Sequence, residues 1–299
     1  MGEIAALLTS VCWAFSGIFF SSAGKRIGAF SVNRLRLTFA VLFFMITHLI
    51  MYKSIIPIGA TPEKWLWFAL SGIVGLVLGD TFLFQAFVHL GVRIPTLIMA
   101  LVPVISTLFA WIFLGESLAP IALLGIVITM SGIALVVLEQ NRNQASSEPK
   151  DKKDFLLGIL CALGGAMGQA GGLVIAKFGL QGDFPVLSGT LIRMLAGFAL
   201  IWIMAAFQGQ IFSTLKQAKE KSKATALVFG GSVVGPYIGV WLSLIALQTA
   251  FVGTASTLMA LAPVILLPIM KWGYKEKITR LAVLGTFLSI AGVSIIFLV

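Results

Sequence analysis

Long apolar runs separated by short polar stretches set the pattern of this chain. Ten runs can be drawn, at about 4–22, 31–52, 64–88, 94–114, 119–138, 155–177, 185–207, 224–248, 252–272 and 279–298. A helix rises ~1.5 Å per residue, so ~20 apolar residues cross ~30 Å of hydrocarbon. The runs are continuous rather than alternating, which excludes a transmembrane barrel built from ~10-residue strands. The pattern predicts an all-α integral membrane protein with ten transmembrane helices. Two polar stretches stand out. Residues 139–154, with Arg142, Ser146, Pro149 and Lys150, read as a linker, and Gln208 to Lys223 has room for a short surface helix.

The last five runs resemble the first five. Met99-Ala-Leu-Val-Pro-Val-Ile returns as Met259-Ala-Leu-Ala-Pro-Val-Ile. The same register matches Glu116 with Glu276, Leu124-Gly125 with Leu284-Gly285, and Gly132 with Gly292. An odd number of spans per copy forces the copies into opposite orientations, the mark of inverted-repeat transporters. The expected organisation is a first repeat over 1–138, the linker 139–154 and a second repeat over 155–299.

Composition agrees. The chain of 299 residues is 59% hydrophobic and 11% charged, with a mean hydropathy of +1.04. Soluble domains are about 45–50% apolar and about 25% charged, so a water-soluble fold is excluded. The net charge of +10 does not point to nucleic acid, because the bases sit in short loops. One side carries Lys25, Arg26, Arg93, Arg142, the cluster from Lys150 to Lys153, Lys216 to Lys223, and Lys271 to Arg280. The other side carries only Lys53, Lys64 and Lys177. The positive-inside rule places the basic side in the cytoplasm of a cell (inner) membrane and both termini outside. Cys12 and Cys161 lie inside apolar runs and read as packing residues, with no metal site or disulfide expected. The N-terminus lacks a basic leader and reads as the first span.

Polar groups at membrane depth are costly and are the first functional candidates. Asp80 lies about nine residues, or ~13 Å, from the basic end of span 3. Arg36 lies at similar depth in span 2, so the two can pair. Two readings stay open: a static ion pair, or a proton-coupling switch in which substrate reaching Arg36 frees Asp80 to take up a proton. Arg193 is the repeat counterpart of Arg36 and has no acid at its depth in its own half. It must find carbonyls, Asp80 across the repeats, or a ligand anion. Trp13, Ser16, Gln85, Gln169, Tyr237 and Trp241 are further candidates to line a substrate site. Tyr237 and Trp241 are four residues apart and share a helix face. Gln248 is polar within its run, His89 reads as a loop-end residue, and His48 as facing lipid or the interface.

Other features read first as packing. Gly164, Gly168 and Gly172, then Gly231, Gly235 and Gly239, then Gly75 and Gly79 form small-residue stripes that bring helices close. Pro103, Pro263 and Pro236 lie mid-span and are kinks or hinges. Glu116 and Glu276 stand at turns, where a carboxylate favours the N-terminus of the next helix.

Together these residues resemble the drug/metabolite transporter superfamily, EamA type, over nearly the whole chain. The stretch from Ala86 to Pro103 is similar to the family's fourth span. Leu114-Gly115-Glu116-Ser117-Leu118 is similar to its following turn, with Leu124-Gly125 and Gly132 after it. Arg36 matches an arginine often found near the start of the second span. In the second copy Lys275 stands where the first has Gly115. The resemblance implies two inverted five-helix repeats around a central cavity lined by spans 1–4 and 6–9. It also implies cytoplasmic termini, and on that point the loop charges here argue the opposite. The function expected is secondary active transport, as an exporter, of small polar or amphipathic metabolites such as amino acids, by alternating access. Proton coupling stays open. The alternatives are a lipid or lipid-carrier flippase, or a metabolite exchanger without proton coupling. Partners are a small-molecule substrate, the lipid bilayer and, if coupled, protons. A monomer suffices, and a homodimer stays open. No enzyme is expected. A phosphate-binding Gly-x-x-x-x-Gly-Lys loop and a zinc His-Glu-x-x-His motif are both absent, and Asp80 lacks a second carboxylate. No cofactor is implied.

Overall fold

The computed structural model describes residues 1–91, 93–140, 152–182, 184–273 and 279–298. Most of the linker 139–154, together with Glu276 and Lys275, lies outside the described residues. Among the described residues ten helices are long and apolar enough to span a membrane: Gly2–Ile27, Ala29–Tyr52, Pro62–Leu90, Ile94–Leu114, Pro120–Glu139, Lys152–Leu180, Val186–Phe207, Ser222–Thr249, Val252–Ile269 and Arg280–Phe297. They are numbered here as spans 1 to 10. An eleventh helix, Ile211–Glu220, joins spans 7 and 8. Large apolar side chains such as Ile46, Ile50, Trp111 and Phe287 stay exposed, as a lipid-facing belt requires.

The packing obeys a pseudo-twofold rule. Span 1 packs on spans 8 and 9, and its counterpart span 6 packs on spans 3 and 4. Span 2 meets spans 7 and 8, and span 7 meets spans 2 and 3. Spans 4 and 9 meet each other, as do spans 5 and 10. The first helix of each repeat therefore seats on the other repeat, and the two halves interlock.

Glycine makes these seams close. A Cβ on Gly172 would lie 2.7 Å from the Cα of Gly75, and one on Gly168 would lie 2.7 Å from the Cα of Gly79. The counterpart seam sets Gly235 against Ser16, and Gly239 against Cys12 and Trp13. Gly164 differs from the rest of its stripe, since a Cβ there meets only the Phe82 ring at 3.4 Å. The seam of spans 5 and 10 uses Gly125, Gly132, Gly285 and Gly292 in the same way.

Two irregularities repeat in both halves. Spans 4 and 9 break into shorter helices, Arg93–Met99 followed by Val102–Leu114, and Val252–Met259 followed by Ala262–Gly273. Pro103 and Pro263 thus sit in the first turn of a new helix. A proline there gives up no helical hydrogen bond, so neither orphans a carbonyl mid-helix as a continuous span would require. The Pro103 carbonyl accepts from Ser106 Oγ at 3.0 Å and Thr107 Oγ1 at 2.7 Å. Spans 3 and 8 carry π-helical segments, Gly72–Gly79 and Val233–Gly239, the second containing Pro236. Such wide turns shift backbone carbonyls out of the usual ladder and often mark functional sites.

Candidate functional site

Where spans 1, 2, 3, 7 and 8 converge, a cavity of about 50 Å³ is lined by Trp13, Arg36, Leu37, Leu76, Met194, Gly235, Pro236 and Val240. It straddles the pseudo-twofold axis. Leu37 and Met194 are repeat counterparts, and so are Leu76 and Pro236, which keep the offset of Pro103 and Pro263. Both π-helical segments thus contribute to one wall. Of the sequence-predicted residues, Trp13, Arg36 and Pro236 line this cavity.

Arg36 is its charged wall. Its Nη2 donates to Asp80 Oδ2, and its Nε donates to Asn33 Oδ1 at 2.7 Å. The Arg36 side chain is 22% exposed and that of Asp80 10%. The guanidinium also faces the Phe20 ring at 5.8 Å. Asp80 begins the regular helix after the π-segment of span 3, and its second oxygen accepts from Gln169 Nε2 at 2.8 Å. Gln169 also donates to the Gly75 carbonyl, 3.1 Å away within the π-segment. Arg36, Asp80 and Gln169, chosen from sequence on three separate spans, therefore form one network.

Arg193 lies behind the cavity. It is 3% exposed. Its Nη1 donates to Ser71 Oγ at 2.7 Å and to the Gly172 carbonyl at 3.3 Å, while Nε is buried without a partner. Its Nη2 sits 3.0 Å from where a Gly75 Cβ would be. Of the three options open to it from sequence it takes a carbonyl, and it adds the Ser71 hydroxyl.

The remaining candidates are placed less directly. Ser16 is buried against Gly235, and its hydroxyl donates to the Trp13 carbonyl at 3.2 Å. Tyr237 and Trp241 do share a face, with ring centroids 6.1 Å apart. They pack with Phe44 between spans 2 and 8, and the Tyr237 hydroxyl bonds Thr47 Oγ1 at 2.6 Å. Gln85 is exposed, five residues past Asp80 and so about 140° around the helix from it. It does not join the network. Gln248 is exposed at the end of span 8.

Several side chains do more than their sequence context indicates. His48 does not face lipid. It is 2% exposed, with Nδ1 on the Ser54 carbonyl at 2.6 Å and Nε2 on Ser188 Oγ at 3.0 Å. His89 pairs with Asp154 Oδ1 at 2.6 Å. Glu116 accepts from the Val252 N–H at 2.7 Å, so it caps the N-terminus of span 9 in the other repeat rather than the helix that follows it. Lys177 lies 3.6 Å from Glu116 and donates to the carbonyls of Leu247 and Ala250 at the end of span 8.

Sequence reasoning passed over Arg34. It is 4% exposed and donates to Thr214 Oγ1 at 2.9 Å, Gln208 Oε1 at 3.2 Å and Gln210 Oε1 at 2.6 Å. Residues two apart on a helix point about 200° away from each other. Arg34 and Arg36 therefore cannot serve the same site, and that spacing was the available signal.

No curated protein matches this chain. A solved crystal structure of a protein matches with a TM-score of 0.77 at 19% identity, over 99% of this chain and 96% of the other. That likeness supports the fold alone. Residues 1–138 and 156–298 each match the EamA-like transporter family. With ten spans, two repeats and a polar network at the repeat interface, the chain belongs to the EamA-like transporter family.

Proposed function

We propose that this protein is a secondary active transporter that exports a small polar or amphipathic metabolite bearing a carboxylate, such as an amino acid, by alternating access. The observation that carries this reading is Arg36. It is the charged residue in the cavity wall, and its only carboxylate partner among the described contacts is Asp80. The rest of the lining is apolar except for the Trp13 indole, so a substrate with one anionic group and an apolar body fits its chemistry.

A cavity of about 50 Å³ holds a few waters at ~10–15 Å³ each and is too small for an amino acid. Substrate entry therefore requires the lining helices to part, and the glycine seams of spans 3 and 6 and of spans 1 and 8 are the surfaces along which they slide. Pro103, Pro236 and Pro263 stand beside the helix irregularities and act as hinges. When the substrate carboxylate takes the Arg36 guanidinium, Asp80 loses its close partner and takes up a proton, which couples transport to the proton gradient. The orientation that fits the loop charges has both termini outside. Lys64 and Lys177 on the less basic side are occupied with helix-end carbonyls, which leaves fewer free bases there.

The test is uptake by proteoliposomes of a labelled panel of amino acids, sugar phosphates and nucleotide sugars, with and without a pH gradient. The expected result is accumulation of a carboxylate substrate that collapses with the gradient and loses gradient dependence in Asp80→Asn. Full pH dependence in Asp80→Asn would reject the coupling, and exchange independent of the gradient would indicate a metabolite exchanger.

A further inference from the structure

The helix Ile211–Glu220 presents three different faces. At about 100° per residue, Ile211, Thr214, Gln217 and Ala218 fall on one side, and the structure buries or half-buries all four. Phe212, Leu215 and Lys219 form a second side; Phe212 is 84% and Leu215 50% exposed, Lys219 is exposed between them, and Phe207 just before the helix is 89% exposed. Ser213, Lys216 and Glu220 form a third, also exposed. A helix with one face on protein, one bare face of Phe212 and Leu215 crossed by a lysine whose apolar stem can carry its ammonium up to the headgroups, and one polar face has the build of a helix lying in a membrane interface. Its level fits, because Gln217 Oε1 accepts from Ser31 Oγ at 3.0 Å, in the first turn of span 2.

The charge around it is one-sided. Lys216, Lys219, Lys221 and Lys223 lie on or just after the helix, and Lys25 and Arg26 stand beside it at the end of span 1. The Lys221 ammonium donates to the Arg26 carbonyl at 2.5 Å, which holds these two stretches together. Glu220 is the one acid between Gln208 and Lys223. We propose that Ile211–Glu220 is an interfacial helix that seats Phe207, Phe212 and Leu215 among the acyl chains and docks its lysines on the headgroups of anionic phospholipids. The Arg34 clasp onto Gln208, Gln210 and Thr214 ties that lipid-bound segment to span 2. Span 2 also carries Arg36, so the lipid contact is mechanically continuous with the cavity wall.

The full chain in lipid nanodiscs tests this, with Cys12 and Cys161 replaced by Ala and a single nitroxide placed at Phe212→Cys or Ser213→Cys. Nanodiscs of phosphatidylcholine alone are compared with nanodiscs containing one third phosphatidylglycerol. The nitroxide at 212 is expected to be open to oxygen and shielded from a water-soluble nickel chelate, more strongly with phosphatidylglycerol, and the one at 213 the reverse. Each lysine near an anionic surface strengthens partitioning by about fivefold. The phosphatidylglycerol effect should therefore fall by about a hundredfold in Lys216→Gln/Lys219→Gln/Lys223→Gln, which spares Lys221. It should also shrink when salt rises from about 0.1 M to about 1 M and the screening length falls from ~10 to ~3 Å. Equal nickel access at 212 and 213 in both compositions would overturn the interfacial placement. A phosphatidylglycerol effect undiminished by the triple substitution would overturn the anionic-lipid contact.

Discussion

Removing the Asp80 charge while keeping its shape is the sharpest test of the central network. Asp80→Asn leaves Arg36 without its carboxylate, and Gln169 Nε2 loses a charged acceptor. Two unit charges about 4 Å apart attract by about 4 kcal/mol at an effective dielectric near 20. Breaking a buried pair by removing one partner costs about 3–5 kcal/mol, because the other charge stays buried. Arg36 retains 22% side-chain exposure, so water takes up part of its charge, and the expected loss in unfolding free energy is about 2–4 kcal/mol. The assay is reversible unfolding in mixed micelles followed by tryptophan fluorescence, run as a cycle of Asp80→Asn, Arg36→Met and the double variant. Interacting partners show coupling of about 0.5–3 kcal/mol. The double variant should therefore lose clearly less than the sum of the singles. An Asp80→Asn variant within about 0.5 kcal/mol of wild type, or strict additivity in the cycle, would refute the claim that this pair anchors spans 2 and 3 together.

Gly172→Ala places a methyl 2.7 Å from the Gly75 Cα. It should cost about 1–3 kcal/mol as the seam of spans 3 and 6 is forced apart, whereas Gly164→Ala, with 3.4 Å to a movable ring, should stay near neutral in the same unfolding assay. Glu116→Ala removes the cap on Val252 and leaves Lys177 without its carboxylate. A loss of about 1–2 kcal/mol is expected, as for other helix caps, and Glu116→Gln, which can still accept from the Val252 N–H, should lose less than half of that. Arg36→Gln should abolish binding of a carboxylate substrate in equilibrium dialysis while sparing a neutral amide analogue. Equal loss of both ligands would place the substrate's charged group elsewhere.

The ten spans were legible because membrane crossing imposes one simple demand, about twenty apolar residues in a row, and the sequence meets it ten times. The repeat was legible because Met99–Ile105 and Met259–Ile265 nearly coincide. Helix-to-helix contacts were less so. An apolar run says that a residue avoids water, but in lipid that holds for both faces of a helix, so nothing in span 1 announces that it seats on spans 8 and 9. Glycine spacing gave part of the answer: Gly168 and Gly172 do meet Gly79 and Gly75, while Gly164 at the same spacing meets only a ring. The Arg36–Asp80 pair was found from depth alone, because two charges at one level in hydrocarbon have few other partners. The π-helical segments carry no comparable signal. Gly72–Gly79 and Val233–Gly239 read as ordinary helix, and only Pro236 hinted at irregularity. The role of Glu116 was half legible. A carboxylate favours a helix N-terminus, but which helix it caps is a tertiary fact.

The repeats share a scaffold and differ in chemistry, and the difference falls on the cavity. Both copies bring a π-segment, an arginine and a glycine seam to the repeat interface. Asp80 has no such counterpart: at the offset that relates Pro103 to Pro263, the second copy has Val240, which lines the cavity. Likewise Gln169, which packs against Gly79 and bonds Asp80, answers in the counterpart seam to Trp13 against Gly239. The single acid is held by Arg36 and Gln169. In the proposed transport cycle the Arg36–Asp80 contact is the one that must part. Placing an acid at Val240, as in Val240→Asp, would add a second carboxylate to the cavity wall that carries Arg36. Under this argument it would hold the site closed and slow transport even though it adds a compensating charge. Faster transport in that variant would show that the single acid is not what distinguishes the two conformations.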